Sequence, residues 1–162
     1  MSPIEQRLMR WTVAVLVASA EAMAQDERGG GRRIVVSTTE RRLVLILGGQ
    51  VVKSYDVAVG APSTPTPSGA FQVMSMVQAP AWYQTGKVVP PGPQNPLGPR
   101  WIGLSLKGYG IHGTNSPRSI GGAKSHGCIR MRNQDVEELF DLVRIGDVVE
   151  LRAEALEQAV RY

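Results

Sequence analysis

The chain has 162 residues, a net charge of +4 and one cysteine. This length supports a single domain with a substantial core, and the lone cysteine excludes an internal disulfide. The positive charge favours anionic partners, but no basic run is interleaved with aromatic residues, so we expect no nucleic-acid partner.

Residues 1–24 predict a secretory signal peptide. Arg7 and Arg10 precede a short apolar run, and Ala22-Met23-Ala24 supplies an A-x-A cleavage signal. The run has roughly half of the 20 or so apolar residues that a spanning helix needs, so a retained membrane anchor is the lesser alternative, and a buried helix is another. Cleavage would leave about 138 residues, enough for one domain. We therefore expect an exported protein of the periplasm or cell envelope.

The first half of the expected domain is rich in β-branched residues. After a flexible lead at 25–33, the sequence predicts strands at 34–37, 42–47, 51–59 and 71–77. Gly48-Gly49 predicts a hairpin turn between the second and third strands. The prolines and glycine of residues 62–69 predict a loop before the fourth strand.

Residues 80–100 differ from their surroundings in composition. They hold six of the 11 prolines together with Trp82 and Tyr83, and they show neither a helix nor a strand period, so we expect no regular element there. We expect an ordered flap over a binding site, because the aromatic side chains need a surface on which to pack. A disordered linker is the alternative.

The second half predicts a strand at 101–106, one helix and a last strand at 148–151. The helix is indicated by an apolar stripe, with Asn133 or Asp135 as its N-cap and an end before Gly146; the stripe is Val136, Leu139, Phe140 and Val143. Residues 152–162 form a helix-prone tail with few anchoring side chains. The expected fold is one mainly β domain, residues 34–151, with a single amphipathic helix.

Both histidines and the cysteine fall within residues 111–133. A thiol with the usual pKa near 8.5 is only a few per cent ionised at neutral pH, so a working Cys128 needs a neighbouring base. His126 lies two residues before Cys128 and would share its face in an extended chain, whereas His112 lies 16 residues upstream. The spacing alone does not choose between the two histidines.

Two other interpretations of these residues are possible. Cys128 could be a small buried apolar residue, as lone cysteines often are. His112, His126 and Cys128 could instead bind zinc, although the sequence contains neither Cys-x-x-Cys nor His-x-x-x-His spacing. The glycines of the segment favour acyl transfer, because Gly127 would allow consecutive N–H groups to face one oxyanion.

These residues closely resemble the motif of the L,D-transpeptidase catalytic domain of the YkuD type. That family has a His-Gly upstream of a Ser/Thr-His-Gly-Cys sequence, here His112-Gly113-Thr114 and then Ser125-His126-Gly127-Cys128-Ile129-Arg130-Met131. The resemblance extends to residues 66–71, to Asn95-Pro96-Leu97-Gly98 and to the helix at Asn133, and it covers about 34–151. It implies a β-sandwich or barrel fold.

The resemblance implies a role for each matching residue. Cys128 is the expected nucleophile and His112 the base, oriented by the carbonyl group of Gly113, while His126 is expected to be a substrate-side or supporting residue of the catalytic site. The N–H groups of Gly127 and Cys128 are expected to bind the oxyanion. The expected substrate-binding residues are Arg130, Ser125, Trp82, Tyr83 and Asn115.

The implied reaction is acyl exchange on peptidoglycan stem peptides. Cys128 would attack a donor tetrapeptide and release D-Ala, and an acceptor amine would resolve the thioester into a 3→3 cross-link. Water as acceptor would give an L,D-carboxypeptidase, and the amine of an envelope protein would give attachment to the wall. The family needs no metal or cofactor and is inhibited by carbapenems. A non-catalytic wall-binding module, with a structural cysteine, is the alternative from another class.

Overall fold

The computed structural model describes residues 31–160, so the predicted signal peptide and most of the lead lie outside the described residues. Within this range the chain forms strands, two α-helices and one 3₁₀ turn, Pro117–Ser119. The strands are β1 Arg33–Ser37, β2 Arg42–Leu47, β3 Gln50–Gly60, β4 Gly69–Gln78, β5 Trp82–Gln84, β6 Lys87–Val89, β7 Arg100–Leu104, β8 Gly110–His112, β9 Ala123–Ser125, β10 Ile129–Met131 and β11 Val148–Arg152. The helices are α1 Asn133–Leu142 and α2 Leu156–Ala159.

The main sheet closes on itself. Its strand order is β10-β8-β7-β4-β11-β1-β2-β3, and β3 also pairs with β10, while β9 lies along β3. Three of the contacts are parallel and non-local: β1 with β11, β8 with β10, and β3 with β9. Closure removes the free edges at β10 and encloses one apolar interior, as in other barrels. The mainly β fold is therefore confirmed.

The predicted N-terminal strands form in place. β2 has the predicted bounds, and Gly48 and Gly49 adopt positive φ angles of 56° and 78°, which suit the two central positions of a tight hairpin turn. β1 begins at Arg33, so the predicted flexible lead is ordered at its last residue. Alternate residues of these strands enter the core, which includes Ile34, Val36, Leu43, Leu45, Val57, Ile111, Ile129 and Met131.

Helix α1 follows the predicted stripe, but its cap differs from the prediction. Val136 and Leu139 are fully buried against the sheet. The residue before the helix is Arg132, and no side chain caps the N-terminus. The amide oxygen of Asn133 instead accepts a hydrogen bond from the backbone N–H of Thr114, 2.7 Å away. The N-cap prediction is wrong because this tertiary contact takes the side chain that a local cap would have used.

The C-terminal tail is better anchored than the sequence suggested. Helix α2 places Ala159 in a second apolar cluster on the outer face of β1 and β2, with Val35, Val44 and Ile46. Arg33 also donates a hydrogen bond to the carbonyl oxygen of Val160. Neither α-helix of residues 31–160 has the length and apolarity required to cross a membrane.

Candidate active site

The parallel pairing of β8 with β10 brings the two motifs together. Ile111 pairs with Ile129 and His112 with Arg130. The side chains of Ile111 and Ile129 enter the core, so the alternation of the strands directs His112 and Arg130 to the other face. Cys128 immediately precedes β10 and lines the same cleft as His112 and Arg130. Residues distant in sequence thus become diagonal neighbours on one surface.

The loop before β10 is held by the side chain of Ser125. Its hydroxyl donates to the carbonyl oxygen of Cys128 at 2.5 Å and accepts from the N–H of Gly127 at 3.0 Å. The chain therefore bends at 126–128, and the extended geometry that would place His126 and Cys128 on one face does not occur. The N–H of Gly127 is bonded to Ser125 in this loop, so an oxyanion would have to compete with that bond, and the oxyanion role of Gly127 stays a prediction.

Gly127 is required for a different reason. Its φ angle is +114°, which side chains of L-residues rarely allow, and a Cβ atom there would lie 2.7 Å from the ring of Tyr109. The buried glycine therefore lets the loop pass close beneath an aromatic ring. The sequence indicates an oxyanion role for this glycine and gives no sign of its contact with Tyr109.

The turn after β3 supports the same loop from outside. Thr66 donates its hydroxyl hydrogen to the carbonyl oxygen of Gly127 at 2.8 Å and accepts from the N–H of Gly60 at 2.8 Å. Thr64 donates to the carbonyl oxygen of Ser125 at 3.0 Å. These threonines fix the loop to the end of a long strand. Their signal in the sequence was the Thr-Pro-Thr-Pro run, which indicated only a turn.

His112 is buried and its tautomer is fixed. Its Nδ1 lies 2.6 Å from the carbonyl oxygen of Gly113, and a carbonyl can only accept, so Nδ1 carries the hydrogen and Nε2 is left as the acceptor. Burial lowers the pKa of His112 to about 4, the hydrogen bond to Gly113 opposes this, and the charge of Arg130 lowers the pKa further. The ring is therefore a neutral base at physiological pH.

Cys128 is partly buried, with its Sγ 3.6 Å from the carbonyl oxygen of Gly108. Burial raises the pKa of the thiol, while the backbone of Gly110 and the charge of Arg130 act in the opposite direction. The thiol of Cys128 is therefore protonated at neutral pH. A Cys128 that acts as a nucleophile would need a base to take its proton during attack.

A cleft of about 760 Å³ lies over these groups. It brings together the predicted residues Cys128, His112, His126, Ser125, Arg130, Trp82 and Tyr83, with Val77, Pro80, Ala81, Pro96, Leu97, Trp101 and Gly108. His126 is exposed, in contrast to His112. Asn115 does not line this cleft; its amide donates to the carbonyl oxygen of Gln94 instead. The hydroxyl of Ser125 is engaged within the loop, so a substrate contact would have to compete with those bonds.

The proline-rich segment is ordered as predicted, but it contains a regular element. β5 and β6 form a two-stranded hairpin in which Trp82 pairs with Val89 and Tyr83 with Val88. Trp82 is half-buried, whereas 74% of Tyr83 is exposed. The expectation of no regular structure at 80–100 is therefore wrong, because cross-strand pairing of these apolar residues outweighs the flanking prolines.

Asn95 holds the flap in place. Its side-chain amide is buried and donates to the carbonyl oxygens of Pro80 at 2.8 Å and of Val89 and Pro90 at 3.2 Å. Its Oδ1 accepts from the N–H of Leu97 at 2.8 Å. One side chain thus ties the start of the flap to its end. The Asn-Pro-Leu-Gly sequence was the only signal of this function.

No three His, Cys, Asp or Glu side chains between residues 31 and 160 come close enough together to hold a metal ion. His112, His126 and Cys128 all lie in that range, and they do not converge on one point as zinc ligands would. The donor set of the cleft therefore does not fit the zinc alternative.

A cysteine and a buried histidine of fixed tautomer, facing one cleft, are typical of enzymes that transfer acyl groups through a thiol. Comparison with known proteins defines the class further. The sequence profile of the L,D-transpeptidase catalytic domain, YkuD, matches residues 31–151. The chain belongs to this family, as the motif predicted.

Curated relatives agree with the assignment. YqjB of Bacillus subtilis, which carries an L,D-transpeptidase name, is 42% identical over 109 residues, which cover 64% of this chain and 61% of that protein. ErfK/SrfK of Escherichia coli, also named for this activity, is 33% identical over 126 residues, which cover 68% of this chain and 39% of that protein. The chain thus spans less than two thirds of these relatives.

Solved structures share the fold. The catalytic domain of the Enterococcus faecium L,D-transpeptidase superposes with a TM-score of 0.62 at 26% identity, covering 76% of this chain and 98% of that one. The L,D-transpeptidase LdtMt1 in complex with imipenem gives a TM-score of 0.62 at 25% identity, covering 75% of this chain and 58% of that one. The described sheet therefore has the fold of the catalytic domain of this family.

Proposed function

We propose that the protein is a cysteine acyltransferase of peptidoglycan that forms 3→3 cross-links between stem peptides. The observation that carries this proposal is the placement of Cys128 beside His112 in one cleft, with the imidazole tautomer fixed by Gly113. The names of the relatives support the class of reaction. The substrate, the bond formed and the nucleophile are inferences for this chain.

The proposed first step forms a thioester. The thiol proton of Cys128 passes to Nε2 of His112 as sulfur attacks the carbonyl carbon of the third residue of a donor tetrapeptide. The tetrahedral intermediate collapses, the C–N bond to D-Ala breaks, and the imidazolium gives its proton to the departing amine. A neutral base suits this step because it accepts one proton and returns the same proton.

The second step releases the enzyme. An acceptor amine attacks the thioester carbonyl, its proton passes to His112, and the thiolate of Cys128 leaves and is protonated. With water in place of the amine the product is a shortened peptide, and with a protein amine it is a wall-attached protein.

Arg130 is the proposed contact for a substrate carboxylate, and Trp82 and Tyr83 of the flap are the proposed contacts for the peptide. Arg130 is half-buried and lies beside both reacting side chains, so its fixed charge can attract an anionic stem peptide into the cleft. Carbapenems are proposed inhibitors, because their strained acyl group offers Cys128 the same kind of carbonyl. The proposed compartment is the periplasm or cell envelope, where the predicted signal peptide would deliver the domain.

Product analysis tests the proposal. Purified protein is incubated with a defined disaccharide tetrapeptide, with and without an added tripeptide acceptor, and the products are identified by mass spectrometry. We expect release of D-Ala and a cross-linked dimer, both absent with Cys128→Ala. Tripeptide alone would establish the carboxypeptidase, whereas binding to sacculi with no change in muropeptides would establish the wall-binding module.

A further inference from the structure

Trp101 lines the cleft, and its indole fills a space that is open because two neighbouring positions are glycine. It pairs with His112 across β7 and β8, and Gly103 pairs with Gly110 two positions along. A Cβ atom at Gly110 would lie 2.6 Å from the six-membered ring of Trp101, and one at Gly103 would lie 2.8 Å from its Nε1. The indole therefore lies flat along the strands, over positions that accept no side chain.

The indole covers the imidazole of His112. The ring centroids are 5.7 Å apart and the planes are inclined by 22°, so the two rings are stacked. His112 is only 5% exposed although it borders an open cleft. Gly113 fixes which nitrogen carries the hydrogen and holds one edge of the ring. The stacked indole adds a contact to the face of the ring, which limits its tilt.

We propose that Trp101 is a positioning residue for His112, which fixes the plane of the imidazole and keeps cleft water from its covered face. The expected effect of Trp101 on turnover rests on the proposed function, whereas its effect on the orientation and protonation of His112 does not. A misplacement of about 1 Å in a catalytic group can lower the turnover rate about 100-fold, so restricting the ring is a substantial contribution. Trp101 also lines the cleft, which makes direct contact with substrate the competing explanation.

The titratable and charged groups around His112 are few. Arg130 and Cys128 approach from β10 and the loop before it, and His126 lines the same cleft. None of these is altered when Trp101 is replaced. A change in the protonation of His112 in a Trp101 variant would therefore report the loss of the indole cover.

The first test follows the two histidines by NMR. The chain has only His112 and His126, so a His126→Gln variant assigns both Hε1 resonances. We expect the pKa of His112 to rise from about 4 in the wild type by about one unit or more in Trp101→Leu, because water reaches the ring. Trp101→Phe, which keeps a stacked ring, should retain most of the wild-type value. Trp82→Leu, on the flap, should leave it unchanged.

The second test separates positioning from substrate binding. With the tetrapeptide substrate, Trp101→Leu should lower kcat about tenfold or more with KM within about twofold of wild type, and Trp101→Phe should recover most of kcat. The proposal would be overturned if Trp101→Leu raised KM without lowering kcat. It would also be overturned if the pKa of His112 in this variant stayed within about 0.3 of the wild-type value. If wild-type protein does not turn over the peptide, the proposed function fails, and the titration still decides the role of Trp101.

Discussion

Ser125 closes the loop that carries Cys128 by donating its hydroxyl hydrogen to the carbonyl oxygen of Cys128, 2.5 Å away, while it accepts from Gly127. A side chain expected at the substrate surface thus supports the loop that carries Cys128. The hydroxyl is buried, so its removal leaves the N–H of Gly127 without this partner.

Ser125→Ala should therefore destabilise the protein by about 1–3 kcal/mol, the cost of an unsatisfied buried donor, and should slow the acylation of Cys128. Urea unfolding and the rate of adduct formation with imipenem measure the two effects. Ser105→Ala is the matched control, because that hydroxyl accepts from the N–H of Gln72 at an exposed site and its loss should cost less than about 0.5 kcal/mol. Wild-type stability and reactivity in Ser125→Ala would show that the loop needs no such support.

Gly127→Ala should be far more damaging than Gly121→Ala. Both glycines have positive φ, +114° and +85°, but only at Gly127 would the added Cβ meet a ring, that of Tyr109. We expect a loss of about 1–2 kcal/mol for Gly121→Ala from backbone strain and of about 2–5 kcal/mol for Gly127→Ala from strain and overpacking. Equal unfolding free energies for the two variants would contradict the close approach of Tyr109.

The buried imidazole of His112 should make folding stability depend on pH. Its folded pKa of about 4 lies below its ordinary value of 6.5, so the unfolded chain binds the proton first as the pH falls. The stability contributed by neutral His112 is therefore present above pH 6.5 and lost as the pH falls to about 4, by an amount on the order of 3 kcal/mol.

Urea titrations of wild type, His112→Gln and His126→Gln between these pH values measure this loss. The loss should disappear in His112→Gln and remain in His126→Gln, since the buried ring is still present in the latter. The carboxylates titrate in all three proteins, so their contribution to the pH dependence of the unfolding free energy cancels when the proteins are compared. The same pH dependence in wild type and His112→Gln would show that the ring is hydrated.

Asn95→Ala should loosen the flap without unfolding the barrel. Its amide donates to the carbonyl oxygens of Pro80, which precedes the β5–β6 hairpin, of Val89, the last residue of β6, and of Pro90, which follows it. We expect faster amide hydrogen exchange at 82–89, measured by mass spectrometry, with the core strands unchanged. Asn115→Ala is the control, because that amide donates to one carbonyl oxygen at an exposed site. Unchanged exchange in Asn95→Ala would show that the hairpin is held by its other contacts.

The sequence predicted those features that depend on neighbouring residues. The branched run of Arg42–Leu47 and the Gly48-Gly49 turn formed as expected, because period and turn chemistry are local. The pairing of His112 with Arg130 could not be derived from spacing, since it depends on the register of two short strands brought together by closure of the sheet. The motif resemblance supplied what periodicity could not.

Long-range polar contacts explain the remaining differences. Asn133 was expected to cap its own helix, but its amide oxygen lies between the backbones of Gly98 and Gly113 and accepts from Thr114. The β5–β6 hairpin was hidden by the prolines around it. The only sign in the sequence that Trp101 stacks on His112 is the pair of glycines, Gly103 and Gly110, that makes room for the indole.

The central claim is that Cys128 is acylated with His112 as its base, and mass spectrometry of the intact protein after incubation with imipenem tests it most directly. We predict one covalent adduct per chain, mapped by peptide digestion to Cys128. The adduct should be absent in Cys128→Ala, should form at least about 100-fold more slowly in His112→Gln and should form at a rate closer to wild type in His126→Gln. An undiminished adduct in Cys128→Ala, or equal rates in wild type and His112→Gln, would contradict the mechanism.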